Sequence, residues 1–167
     1  PVLLQGINAG GEFVGFYNDA GTPSRTHGFL LSGGQFQSID FPGARSTLAR
    51  GIGPGGDIVG NYQRPNEAGA VPSHGYLLNN RGEYLMVDYP GHLNTIPQRI
   101  LPDATILGCY HDNDTMGSMH GMLFSPQHGF DELSEGMTMH NGATPDGQLI
   151  VGLFTDMDGR QKGYFVD

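Results

Sequence analysis

Histidine is the side chain whose proton comes and goes nearest neutrality, and this chain of 167 residues carries seven. Three of them, His27, His74 and His120, stand at one position of a recurring pattern, HGFLL, HGYLL and HGMLF. His92, His111, His128 and His140 fall outside it, and a histidine that a repeat does not require is the better candidate for chemistry. His111 directly follows Tyr110, and His140 directly precedes Asn141. Lys162 replaces the histidine in the last segment of this type, KGYFV. His111, His140, Tyr110 and Lys162 form the expected catalytic set, able to move protons and stabilise developing charge.

The expected substrate-binding set is Arg50, Arg99, Tyr17, Tyr62, Gln5 and Asn141. Gln5, Arg50, Arg99 and Asn141 precede successive glycine-rich turns at roughly equivalent places, with the register of Arg99 open by one residue. Two guanidinium groups gathered by a pseudo-symmetry axis would clamp a carboxylate or a similar anion. The competing reading pairs them with Asp40 and Asp88. Tyr17 and Tyr62, counterparts of Tyr110, would add hydroxyl donors around the same pocket, or else pack between units with their hydroxyls at the rim.

Several bland readings stand beside these. The three repeat histidines would each bond a neighbouring loop, although three imidazoles also make a zinc ligand set; no metal is expected. Cys109 is the single cysteine, which excludes an intrachain disulfide and a cysteine-rich zinc centre. It alternates with Tyr110 along a strand, so the two face opposite ways. A buried, inert thiol is expected there, with a Cys109–His111 pair as the alternative. The acidic segments 18–21, 112–114 and 156–159 lack the full ligand spacing and closing glutamate of a calcium loop. They read as turns. No phosphate-cradling loop, dinucleotide fingerprint or nucleophile elbow occurs, so no organic cofactor is expected.

The elements that must position these residues repeat. EFVGFY (12–17) returns as DIVGNY (57–62), TILGCY (105–110) and LIVGLF (149–154), placing Gly15, Gly60, Gly108 and Gly152 between 44 and 48 residues apart. FQSIDFPGA (36–44) returns as YLMVDYPGH (84–92) and, decayed, as FDELSEG (130–136). Each segment is short, rich in β-branched and aromatic residues, and bounded by Gly, Asn, Asp and Pro. GINAGG, GIGPGG and GATPDG read as tight hairpin turns. Helical periodicity is absent. The glycine in each FVGFY-type strand marks either a close approach of backbones, as near a propeller axis, or a bulge.

The totals agree. There are 28 glycines and 11 prolines, while charged residues are 15% of the chain, against about 25% in typical domains. A net charge of −9 with eight basic residues disfavours a nucleic-acid partner. No apolar run approaches the length of a membrane span. The start at Pro1 is consistent with an upstream segment, such as a secretion signal, having been removed.

The pattern G-I-N-x-x-G-x-[IV]-V-G-x-Y, then H-[AG]-F, then F-x-x-[IV]-D-x-P-G-A, resembles the bacterial HAF-family repeats. It is carried here by Gly6, Ile7, Asn8, Gly15, Tyr17, His27, Gly28, Phe29, Asp40, Pro42 and Gly43, with echoes in each later unit. The resemblance covers nearly the whole chain and implies a propeller in an extracytoplasmic (secreted or periplasmic) setting. It transfers no catalytic signature.

The sequence thus predicts one all-β domain over 1–167, a small β-propeller of four units of about 45 residues, approximately 1–45, 46–93, 94–136 and 137–167. The last blade is incomplete, so the ring closes with a three-stranded blade or through another chain, as in a homodimer. A flat β-sandwich is the alternative architecture. The expected function is cofactor-free acid–base chemistry (lyase, hydrolase or isomerase) on a small polar or anionic substrate in one axial pocket. The alternative is a non-catalytic, lectin-like module binding a glycan or other small molecule in grooves between blades. A purely structural repeat is the third reading.

Overall fold

β-Branched and aromatic runs, broken every few residues by Gly, Pro, Asn and Asp, leave room only for short strands. A computed structural model describes residues 1–67, 72–112, 119–131 and 137–167, and it is all-β. The strands fall into antiparallel meanders. The first holds β1 (Val2–Ile7), β2 (Phe13–Asn18), β3 (Thr26–Ser32) and β4 (Gln35–Ile39); the second holds β5 (Ser46–Ile52), β6 (Ile58–Gln63), β7 (His74–Leu78) and β8 (Tyr84–Met86). The third holds β9 (Asn94–Ile100), β10 (Ile106–His111), β11 (Met119–Ser125) and β12 (Gly129–Asp131). The fourth has β13 (Met137–Ala143), β14 (Ile150–Thr155) and β15 (Gln161–Val166). Neighbouring meanders share little ladder: one parallel pair, Thr26 with Ser46, and one bridge, Ser73 with Asn94. The sheets are open, and none closes on itself.

Each meander carries a bulge between its first two strands. Pairing skips one residue after Leu4, Ala49, Pro97 and His140, which leaves Gln5, Arg50, Gln98 and Asn141 unopposed. A bulge bends its strand and drives one carbonyl toward the neighbour. The glycines at 15, 60, 108 and 152 receive it. A Cβ on them would lie 2.0, 1.9, 2.3 and 2.1 Å from the carbonyl oxygens of Leu3, Leu48, Ile96 and Met139. The close approach of backbones therefore holds at this glycine, while the bulge lies on the neighbouring first strand. Directly across from it on the third strand sit Phe29, Tyr76, Met122 and Tyr164. Their side chains cover the bare backbone, and the Tyr76 hydroxyl donates to the Leu48 carbonyl (3.2 Å).

The core lies at the junctions between meanders, because one sheet cannot bury both of its own faces. Val14 and Ile39 of the first meander cluster with Ala49, Ile52 and Ile58 of the second. Val59 and Val87 of the second cluster with Ile100 and Ile106 of the third. The Asp-x-Pro-Gly turns latch each junction: the Phe41 amide donates to Thr47 Oγ1 (2.9 Å) and the Tyr89 amide to Thr95 Oγ1 (2.8 Å). The same two rings stack on the next meander, Phe41 on Tyr62 (centroids 3.6 Å apart) and Tyr89 on Tyr110 (3.7 Å).

Turn chemistry fails at one place. Gly11, Gly56 and Gly147 close the first hairpins at φ between +71° and +88°, but their counterpart in the third meander is Ala104, at φ +68°. A Cβ in this region costs about 1–2 kcal/mol. Ala104→Gly is expected to stabilise the protein by about 1 kcal/mol in urea unfolding. Gly60→Ala is expected to destabilise it by roughly 3 kcal/mol or more, since β5 must be displaced.

Candidate functional site

The repeat histidines are held at the start of each third strand between two carboxylates. His27 Nδ1 lies 2.6 Å from Asp40 and its Nε2 3.3 Å from Asp19. His74 Nδ1 lies 2.9 Å from Asp88 and its Nε2 3.0 Å from Glu67. His120 Nε2 lies 2.7 Å from Asp112, which also receives His92 Nδ1 at 3.2 Å. Lys162 keeps this clasp in the fourth meander, 2.7 Å from Asp156. Each of these side chains is thus tied to an acid of its own second-to-third-strand loop. The backbone amide of Arg25 and the imidazole of His120 are the main causes that hold Asp19 and Asp112, respectively, below the usual carboxylate range. Burial pushes Glu67 upward, but the bonds from His74 and the Arg64 amide outweigh it and leave its pKa lowered. Among the described residues no group of three His, Cys, Asp or Glu side chains is placed to hold a metal ion.

The expected catalytic residues are dispersed. Tyr110 is sandwiched between Tyr89 and His120 (4.9 Å). His111 is buried on the opposite face of β10, its Nε2 3.8 Å from the Cys109 sulfur. Burial pushes the Cys109 thiol up to about 12, which leaves no thiolate near neutrality. His140 is fully buried; its Nδ1 meets the Tyr164 hydroxyl, and its Nε2, against Gly121, has no hydrogen-bond partner. Lys162 is committed to Asp156, whose carboxylate also accepts from the amides of Asp158 and Arg160. The 156–159 segment is therefore a turn, and 18–21 likewise folds about Asp19, which accepts from the Gly21 and Arg25 amides. Asn113 and Asp114, and residues 132–136 of the third-unit segment, lie outside the described residues.

The expected binding residues divide into two groups. Tyr62 packs between Phe41 and His74, and Tyr17 stacks on His27 with its hydroxyl 3.3 Å from Ser38, so both follow the packing alternative. Arg50 and Arg99 do come together: Arg99 Nη1 donates to the Arg50 carbonyl (3.1 Å) and the Gln98 carbonyl (2.8 Å). Arg50 Nε donates to Asn61 Oδ1 (2.5 Å), and Asn61 in turn to Ser73 (2.7 Å). Neither guanidinium pairs with Asp40 or Asp88, which are engaged by the histidines, and burial lowers the pKa of both arginines. The bulge settles the open register: Gln98 is the equivalent of Arg50, and Arg99 replaces the glycine after it. Gln5 holds the bulge of β1, while Asn141 and Gln98 both reach the Met139 sulfur (3.2 and 4.0 Å).

A cleft that the sequence did not reveal opens between the first two meanders. Its volume is about 1180 Å³, with walls that include Phe16, Phe41 and Pro65 and a rim that includes Arg25, Arg45 and Gln63. Arg25 donates only to the carbonyls of Ala44 (2.5 Å) and Arg45 (3.3 Å), and Arg45 donates to Gln63 Oε1 (2.9 Å). Arg25 recurs as Arg160 in the fourth unit, and Arg45, just before β5, has no counterpart in the later units. No family model matches the chain, and no curated protein matches its sequence.

His140 carries a pH signature. Burial lowers its pKa from 6.5 to about 4, so the folded protein resists a proton that the unfolded chain accepts below about 6.5. Stability from this group is complete above that value and is lost as the pH falls toward 4. The loss is expected to be roughly 2–3 kcal/mol. Urea unfolding at stepped pH should show that decline in the wild type and its absence in His140→Gln.

Proposed function

We propose that this chain is a propeller-like repeat module that binds a small polar or anionic ligand, of the glycan or carboxylate class, in the groove between its first two meanders. The observation that carries the reading is the cleft itself. Apolar and aromatic walls (Phe16, Phe41, Pro42 and Pro65) face polar groups from Asn18, Ser24, Ser46 and Gln63, with Arg25 and Arg45 at its edge. Rings with a few placed polar groups suit a sugar or a small acid, and guanidinium suits a carboxylate. On a chain of net charge −9, an anion approaches only where cations are gathered. Acid–base catalysis has less support, because His140, His111 and Lys162 are each engaged in separate packing or ion-pair contacts. The extracytoplasmic setting is proposed on the HAF resemblance.

A second reading keeps one specific observation, the Arg50–Arg99 pair with neutral partners only. An anion clamped there would lie near Cys109 and Asn61, in the axial version of the site and its acid–base chemistry. Calorimetric titration with a uronate oligosaccharide and its neutral counterpart separates the two. Arg25→Met is expected to weaken the acidic ligand tenfold or more, with Arg50→Met within twofold of wild type. The reverse pattern would move the site to Arg50 and Arg99. No heat with either ligand would remove the glycan reading.

A further inference from the structure

Three junctions join the four meanders, and each uses the same two surfaces. The first strand of one meander (β5, β9, β13) packs on the second and third strands of the meander before it (β2–β3, β6–β7, β10–β11). The strand registers identify the residues that do this. On the receiving side, Val14, Val59 and Leu107 each stand one step before the buried glycine and are 0% exposed. On the inserting side, Ala49 and Ile52 of β5 meet the Val14 cluster, and Ile100 of β9 meets the Val59 cluster.

The two ends of the array carry these surfaces unused. Val151 is the counterpart of Val14 and Val59, yet it is 44% exposed, and Phe165 across from it is 69% exposed. At the other end, Leu4 and Ile7 are the counterparts of Ala49 and Ile52 and are 61% and 60% exposed, against 0% and 7%. Phe36 extends that patch at 55%. Among the described residues, β1 does not pack on β14 or β15 as β5 packs on β2 and β3. Thr47 and Thr95 receive amides from the Asp-x-Pro-Gly turns of the preceding meander. The residue of β1 in register with Thr47 is the apolar Val2.

We propose that these faces bind each other between two copies of this chain: β1 of each copy seats on β14 and β15 of the other, closing a head-to-tail ring of two. The occupant is argued from continuity. The end surfaces are the two halves of an interface that the molecule already makes three times, so the partner they fit is another meander of this chain. An isologous contact would instead place β1 on β1, setting two inserting surfaces together with no receiving face between them. This inference is independent of the ligand site, which lies at an internal junction.

The test is sedimentation equilibrium of the 167-residue protein across a hundredfold range of concentration, alongside Ile7→Glu, Leu4→Arg and Val151→Glu. The altered side chains are exposed within one copy, so each variant should keep the wild-type far-UV circular dichroism. The wild type is expected at twice the chain mass, and all three variants at the monomer mass, with dissociation constants raised at least a hundredfold. A monomeric wild type would overturn the proposal, as would a mass that climbs past two copies. Dissociation by the β1 variants with Val151→Glu still dimeric would equally overturn it, and would point to an isologous contact.

Discussion

A sheet of three or four short strands has two faces and no means of covering either by itself. That constraint organises this molecule, because its core exists only where one meander lies on the next. Burial of branched side chains at the junctions, at roughly 25 cal/mol per Å² of apolar surface, has to offset the ordering of many strands joined by short turns. The bulge and the glycine opposite it serve that end. They sink the carbonyl of the first strand into the second, where a side chain would have kept the strands apart. The aromatic ring across from the glycine then restores the contact area that the missing side chain gave up. Each meander becomes a thin, polar-edged plate with one inserting and one receiving side.

Polar groups at the rim are arranged around the same stacking. The start of every third strand carries a histidine or lysine clasped by an acid from its own loop. In the first two meanders a second acid, from the Asp-x-Pro-Gly segment, closes on the other ring nitrogen. The turn that supplies this acid also supplies the amide for the next threonine and the ring for the next tyrosine. One segment therefore satisfies a histidine behind it and fastens a meander ahead of it. Arg25, Arg45, Arg50 and Arg99 donate to backbone carbonyls and to the side-chain amides of Gln63 and Asn61, whereas Arg64 pairs with Glu67.

How much of this was legible in the sequence differs by element. Strand boundaries, meander order and the special glycines follow from local rules, since turn residues and β-branched runs act through their own backbone. The junction latches were equally recoverable, because Thr47, Thr95 and Thr138 recur in register. The place of Arg99 was not, because a bulge shifts pairing by one residue without a mark in composition. Nor was the cleft, which needs Arg25 of the β2–β3 loop to meet Arg45 of the β4–β5 connection. Ring closure is also beyond local rules: the angle between successive meanders depends on side-chain volume at each junction, and the sheets here stay open.

Departures from the repeat pattern are the usual pointer to a functional site, but here several of them move together. The third unit loses Asp-x-Pro-Gly from its sequence, and the next meander loses the stacking partner of that turn's ring, Phe154 replacing the tyrosine. With no ring to stack on it, a tyrosine at 154 has no partner from that side. Lys162 keeps the clasp of the fourth meander on Asp156. The Gly121 amide shows the same compensation, donating to Thr138 where the Gly75 amide donates to Asp88. These changes form one structural substitution spread over two meanders. Phe154 therefore loses its weight as a sign of chemistry. The departures with no such partner, Arg45 at the first junction and Arg99 at the second, are the ones that point to a ligand.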